Sequence, residues 1–267
     1  MTRHAFVLPQ QKLVVFWAPK AACSTLAEVI AFSVLSKDVL EAWNFDLGGP
    51  RLLLEKQGFL YDGKSARALA SAHNYRTVAI IRDPYDRLIS AFLNKFVVKN
   101  DRPIRAYSDM EPFAFRFIQD NYLALELEQP PDQNSHWRGL TFRQFVSVIC
   151  DVIDASDEDQ RHLNQHWNTQ IPDGLEIDGY SFNQVYTLMT IDSFFREFQI
   201  LTGVRIDIPN RNSSSYQDDA SKNLCDINAL RILDQGGYSK SCFEDVQLRN
   251  RVRTSFQTDY HYIAQAA

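Results

Sequence analysis

The chain is expected to fold as an α/β protein of three layers, with a central parallel sheet between flanking helices. Three observations predict it. Two uncharged runs rich in β-branched and aromatic residues, "LVVFW" at 13–17 and "VAII" at 78–81, read as buried strands. Each is followed by a short polar turn and then by apolar residues at helical spacing, so strand–turn–helix occurs twice. With 267 residues, 45% of them hydrophobic, the chain is long enough to bury a sizeable core. A single domain over 1–267 is expected, with a largely helical insert around 100–180.

Taken in order, the strand at 13–17 gives way to Pro19 and Lys20, and a helix follows through Leu35. Thr25 stands three residues before Glu28, the spacing of a capping box. After "VAII", Pro84 suits a first helical turn, and Leu88, Ile89, Phe92, Leu93 and Phe96 repeat along one helical face. In "TFRQFVSVICDVI", Thr141 and Gln144 cap a helix whose apolar face holds Phe142, Phe145, Val146 and Ile149. "QVYTLMT", 184–190, reads as a further core strand. "DSFFREFQILTG" reads as a helix capped by Asp192 and closed at Gly203. Two polar stretches, 98–112 and 208–223, read as loops, and the last 30 residues as an amphipathic helical tail.

Several classes are excluded. A net charge of -5, with 28 Lys and Arg spread along the length, argues against nucleic-acid binding. No run approaches the roughly 18 unbroken apolar residues of a membrane span, and "MTRHAFVLPQQKLVVFWAPK" lacks the pattern of a signal peptide. Cys23, Cys150, Cys225 and Cys242 form no CxxC pair; four free thiols in a reducing cytoplasm are expected, with a Cys225–Cys242 bridge as the alternative.

The turn after the first strand carries chemistry. It lies where ligands of parallel α/β sheets bind. Backbone N–H groups at a helix N-terminus lack partners, and the helix dipole there is positive, so an anion fits. Ala21, Ala22 and Cys23 leave that backbone uncovered, Ser24 and Thr25 add hydroxyls, and Lys20 adds a mobile charge. This is a P-loop-like cradle for a phosphate, although the lysine comes first and the loop holds no glycine. In "IIRDPYDRLISAF", Arg82 leaves the second strand, with Arg87 and Ser90 on the helix behind it. An arginine fork and a serine hydroxyl can grip a terminal phosphate. Two cradles suggest one ligand with two separate phosphates.

"APKAACSTL" resembles the 5′-phosphosulfate loop of sulfotransferases that use 3′-phosphoadenosine 5′-phosphosulfate (PAPS), and "IIRDPYDRLISAF" is similar to their 3′-phosphate motif. The likeness is to the Golgi-type carbohydrate sulfotransferases and their bacterial relatives. "HLNQHWNTQ", 162–170, looks like the HW element of that family, and "PNRNSSS" resembles its late nucleotide-side loop. The resemblance implies that Lys20, Ala22, Ser24 and Thr25 surround the 5′-phosphate and sulfuryl group, and the uncovered backbone of Ala21 and Cys23 belongs to the same expected cofactor-binding loop. It places Arg82, Ser90 and Arg211 among the remaining nucleotide contacts. It implies PAPS as donor, 3′-phosphoadenosine 5′-phosphate (PAP) as product and a carbohydrate or glycoconjugate acceptor; no metal is expected, because the cradle demands none and the sequence offers no convincing acidic pair to hold one. The cysteine that the family carries after its HW element is missing here.

An acceptor hydroxyl is a poor nucleophile, so a base is needed. His166 is the first choice, His162 shares its face if the segment is helical, and Glu55 is the rival as a carboxylate at a strand end. His73 reads as a helix-terminal residue. Trp137, in a polar stretch, is a candidate for stacking on a sugar or adenine ring. Arg102, Arg105, Arg138 and Arg211 lie in polar connections that could meet an anionic acceptor. The rival functions are a phosphoryl-transfer or nucleoside-kinase enzyme on a related fold, and a non-catalytic adenosine-bisphosphate binder. A kinase calls for a glycine-rich loop and a magnesium ligand, which the sequence matches poorly.

Overall fold

A computed structural model describes residues 3–99, 101–155, 163–171, 181–205, 222–235 and 238–266. The elements run β1 (Arg3–Leu8), β2 (Leu13–Trp17), α1 (Cys23–Val34), α2 (Lys37–Ala42), α3 (Pro50–Lys56), β3 (Leu60–Asp62), α4 (Gly63–His73) and β4 (Arg76–Ile81). Next come α5 (Pro84–Phe92), a hairpin of β5 (Val98–Lys99) and β6 (Arg102–Pro103), α6 (Pro112–Asp120) and α7 (Phe142–Ala155). The series closes with β7 (Gln184–Thr187), α8 (Ile191–Thr202), α9 (Ala229–Ile232), α10 (Val246–Ser255) and α11 (Gln257–Ala264). The chain divides into two compact units. One is Met1–Asp83, Thr169–Ser213 and Thr258–Ala267; the other is Pro84–Asn168 and Ser214–Gln257.

The first unit is the three-layer α/β body. Its sheet has the order β3-β1-β2-β4-β7. β2 pairs in parallel with β4, and β4 with β7, while β1 runs antiparallel to both β2 and β3. The sheet is therefore mostly parallel with one reversed strand. The reversal follows from chain length: only residues 9–12 join β1 to β2, opposing Leu8 to Leu13, and a parallel crossover needs a dozen residues or more. Side chains alternate across the sheet. Leu13, Val15 and Trp17 join the core formed with α1, α3 and α8, whereas Val14 and Phe16 join the opposite core with α4 and α11.

The second unit is largely helical and is organised around aromatic side chains. α5 passes directly into a π-helical turn, Leu93–Val97, which delivers Phe96 to the interior. The Phe96 ring lies within 5.3–6.4 Å, centroid to centroid, of Phe92, Phe117, Trp137, Phe145 and Trp167. The reciprocal bonds expected at the start of α7 are present: the Thr141 N–H donates to Gln144 Oε1 (2.9 Å), and the Gln144 N–H to Thr141 Oγ1 (3.1 Å). The 98–112 stretch has local structure. Beyond the β5–β6 hairpin, the Asp109 carboxylate accepts from the N–H groups of Arg105 (2.9 Å) and Ala106 (2.8 Å).

Arg143, on α7, grips the Asp226 carboxylate with two nitrogens (2.6 and 3.0 Å) and reaches Asp245 with one of them (2.7 Å). Asp245 also caps α10 by accepting from the Leu248 N–H (3.0 Å). Hydrogen bonding from Arg143 holds Asp226 below the usual carboxylate range. The Leu248 N–H, and after it Arg143, does the same for Asp245 against the upward pull of burial. Carboxylates with depressed folded-state pKa values stabilise above their unfolded pKa, near 4, and that contribution is lost as pH falls through the folded value. Arg143→Met is expected to cost about 1–2 kcal/mol at pH 7. Urea titrations should show the difference from the parent shrinking below about pH 4.

All four cysteines are free, so the Cys225–Cys242 bridge is absent. Among the described residues no helix is long and apolar enough to cross a membrane.

Candidate functional site

The turn after β2 is shaped without glycine. The Ala21 N–H donates to the Ala18 carbonyl (3.1 Å), closing a four-residue turn with Pro19 second and Lys20 third. Lys20 has φ 70, the left-handed value that the third residue of a type II turn requires. Ala22 is left-handed as well, at φ 56 and ψ 25, and stands as the N-cap of α1 without a side-chain cap bond. A left-handed conformation costs a residue bearing a Cβ roughly 1–2 kcal/mol. Two such residues fall within three positions before α1 begins; left-handed residues beside right-handed ones are the kind of backbone in which N–H groups can converge on an anion. The first intrahelical bond runs from the Leu26 N–H to the Ala22 carbonyl (2.9 Å). The N–H groups of Cys23, Ser24 and Thr25 precede it and are those a helix leaves for capping or for a ligand. Ser24 is exposed, Lys20 half-buried and Thr25 buried.

The expected capping box is therefore overturned. The turn starts α1 at Cys23, so Thr25 falls inside the first helical turn, where its side chain cannot serve as the N-cap for Glu28. Asp192 is likewise inside α8, whose N-cap is Thr190, although Gly203 closes that helix at φ 70 as expected.

β2 and β4 are parallel neighbours, with Trp17 opposite Ile80, so the turn after β2 and the residues after β4 leave the same end of the sheet. Arg82 follows β4 and is 7% exposed. Its Nη1 donates to the Lys20 carbonyl (3.0 Å), tying the second anion motif to the left-handed residue of the first. Its backbone is held too. The Arg82 N–H donates to Gln170 Oε1 (2.9 Å), and Gln170 Nε2 donates to the Arg82 carbonyl (2.7 Å). Gln170 in turn is bonded to Asp259 of α11. Sequence reading assigned no part to Gln170 or Asp259. The one available signal was an acidic residue in the otherwise amphipathic "DYHYI".

In the second unit, Ser90 lies half-buried on α5. Arg87, on the same helix, is 1% exposed and donates through Nη2 to the Asn168 carbonyl, so it braces the HW segment. That segment is a turn rather than a helix: the N–H groups of Trp167 (2.9 Å) and Asn168 (3.0 Å) both donate to the Asn164 carbonyl. His166 stacks face to face on Phe113, with centroids 4.7 Å apart and planes at 6°. Asn164 Oδ1 accepts from the His166 N–H (3.0 Å) and lies 2.5 Å from its Nδ1. An amide oxygen only accepts, so Nδ1 carries the proton and Nε2 is the basic nitrogen.

Glu55 is not at a strand end. Gly49 and Pro50 open a helix in place of the expected strand, and Glu55 sits near the end of α3. Trp137 is a core residue, 3% exposed and edge-on to Tyr107 at 5.2 Å, so it is not a surface for ring stacking. His73 ends α4 as expected. Arg105 Nη1 donates to the Leu230 carbonyl (3.3 Å). His162 and Arg211, with most of the 208–223 stretch, lie outside the described residues.

This geometry, a turn after β2 left-handed at two residues and bonded to an arginine after β4, coincides with a family match over residues 3–262 to the sulfotransferase family. The chain belongs to the sulfotransferase family. Carbohydrate sulfotransferase 12 of Xenopus laevis is 24% identical over 178 residues, covering 61% of this chain and 40% of that protein. Carbohydrate sulfotransferase 14 of Mus musculus is 27% identical over 170 residues, covering 62% of this chain and 38% of that protein. The matched region spans about two fifths of the length of these curated relatives. No solved structure gives a significant match.

Proposed function

We propose that this sulfotransferase-family chain moves the sulfuryl group of PAPS to a hydroxyl of a carbohydrate or glycoconjugate. The observation that carries this reading is the glycine-free turn, left-handed at Lys20 and Ala22, which opens α1 and is bonded to Arg82. The residues fit the donor's 5′ end. The N–H groups of Cys23, Ser24 and Thr25, the Ser24 and Thr25 hydroxyls and the Lys20 ammonium offer positive potential to an oxyanion. Arg82 would supply a guanidinium for the 3′-phosphate, and the resemblance of "IIRDPYDRLISAF" to the family's 3′-phosphate motif implies Ser90 for the same phosphate. When bound, PAPS supplies an activated sulfuryl group and leaves as PAP. Lys20 and the helix N-terminus stabilise negative charge on the leaving phosphate and on the sulfuryl oxygens. His166, protonated on Nδ1 by its bond to Asn164, accepts the acceptor hydroxyl's proton at Nε2. The carbohydrate acceptor is inferred from what the two relatives are called.

The test is calorimetric titration of the chain with PAP, 5′-AMP and magnesium-ATP, followed by transfer assays from PAPS to a panel of glycans. PAP is expected to bind at least about tenfold more tightly than 5′-AMP, corresponding to roughly 1.4 kcal/mol for the 3′-phosphate. A preference for magnesium-ATP would reject the reading in favour of a phosphoryl-transfer enzyme. PAP binding with no transfer to any acceptor class would support a non-catalytic binder.

A further inference from the structure

Arg82 stands one residue beyond the ladder that joins β4 to β7, whose last pair is Ile81 with Thr187. A backbone leaving a sheet normally loses its partners there, yet both polar groups of Arg82 remain bonded. The Gln170 side-chain amide supplies the acceptor and the donor at 2.9 and 2.7 Å, standing where another strand's peptide would stand. The amide is itself fixed. Its second N–H donates to Asp259 Oδ2 (3.0 Å), and the Gln170 backbone N–H donates to Asp259 Oδ1 (2.9 Å). Asp259 is fully buried and Gln170 is 3% exposed. Both Asp259 oxygens accept from Gln170, so the amide nitrogen faces Asp259 and the Arg82 carbonyl and its oxygen faces the Arg82 N–H; a flipped amide would oppose like groups at both ends. The next residue of α11, Tyr260, donates its hydroxyl to Asp83 Oδ2 (3.2 Å). Helix α11 therefore holds two consecutive residues of the RDP sequence, one through Gln170 and one directly.

We propose that Gln170 and Asp259 are positioning residues that set the Arg82 backbone and thereby the recognition of the nucleotide 3′-phosphate. This rests on the function proposed above. Neither residue touches the nucleotide; they act through Arg82. Its guanidinium is already committed to the Lys20 carbonyl at one nitrogen, so a small rotation of its backbone displaces the rest of the fork. Displacements of about 1 Å at such a contact can cost on the order of a hundredfold.

The experiment titrates PAP and 5′-AMP into the full chain as wild type, Gln170→Leu, Asp259→Asn, Arg82→Met and Gln170→Leu/Arg82→Met, with circular dichroism and Tm recorded for each. In Gln170→Leu, PAP is expected to weaken by about 10–100-fold while 5′-AMP changes by less than about threefold. In the Arg82→Met background the Gln170 substitution is expected to add nothing, because the two act as one unit. Asp259→Asn preserves shape and supplies the same test where Gln170→Leu does not fold. Equal weakening of both nucleotides, or additive effects in the double variant, would make the pair merely structural and overturn the inference. A wild type that does not prefer PAP to 5′-AMP overturns the functional reading itself, and is told apart by that first titration.

Discussion

Lys20→Ala is expected to lower kcat/KM for sulfuryl transfer by about 10²–10³-fold, or roughly 3–4 kcal/mol of transition-state stabilisation, while leaving the fold intact. Lys20 is half-buried at the third position of its turn, so little core packing depends on it. The residue nevertheless does two things at once: it carries a cation and it accepts a left-handed backbone at φ 70. Lys20→Gly separates them, since glycine takes that conformation at no steric cost. Both variants lose the charge, so both are expected to lose the rate, and the glycine variant is expected to melt no lower than the alanine variant. Steady-state assays with PAPS and thermal melts read the two effects. A glycine variant retaining most of the activity would assign the residue to backbone shape alone.

Phe96→Ala is expected to cost about 3–5 kcal/mol, the range for truncating a large buried aromatic. Phe96 is fully buried, and its five aromatic neighbours come from α5, α6, α7, the Trp137 connection and the HW turn. With a domain stability of about 5–15 kcal/mol, that loss is a large fraction of the whole. The urea midpoint should fall by about 1–3 M, and Phe96→Leu should recover most of it. Trp167→Phe offers a contrast. The buried indole N–H groups of Trp137 and Trp167 find no acceptor among the described residues. Removing the Trp167 N–H also removes an unmet polar group, so this substitution is expected to cost less than its lost area suggests.

The two strand–turn–helix units were legible because each begins at an uncharged strand and ends in a helix with strong periodicity. The phosphate reading of their turns rests on residue type and on the general affinity of helix N-termini for anions, and it stands as part of the proposed function. Other features were hidden for physical reasons. β1 was missed because the hairpin at 9–12 has no glycine or Asn-Gly pair; it turns instead through a 3-10 segment and a left-handed Lys12, φ 49. The apolar "LLL" of α3 read as strand, and Glu55 was misplaced with it, although Pro50 is a helix-start residue. Trp137 looked exposed among polar neighbours because burial is a tertiary fact. Gln170 and Asp259 lie 89 positions apart, and no local pattern brings an amide and a carboxylate together over that distance.

Loops that bind phosphate with glycine are pliant, and part of their affinity is spent on ordering them. The turn from Ala18 to Ala22 is stiff by composition: its proline and its Cβ-bearing residues leave few alternative conformations for the backbone. Its tension was incurred when the chain folded, and the bond from Arg82 to the Lys20 carbonyl helps retain it. Under the proposed function, an anion would therefore meet a finished surface. Donor capture at this turn is expected to be governed by encounter rather than closure, with a small entropic penalty and selection by fit.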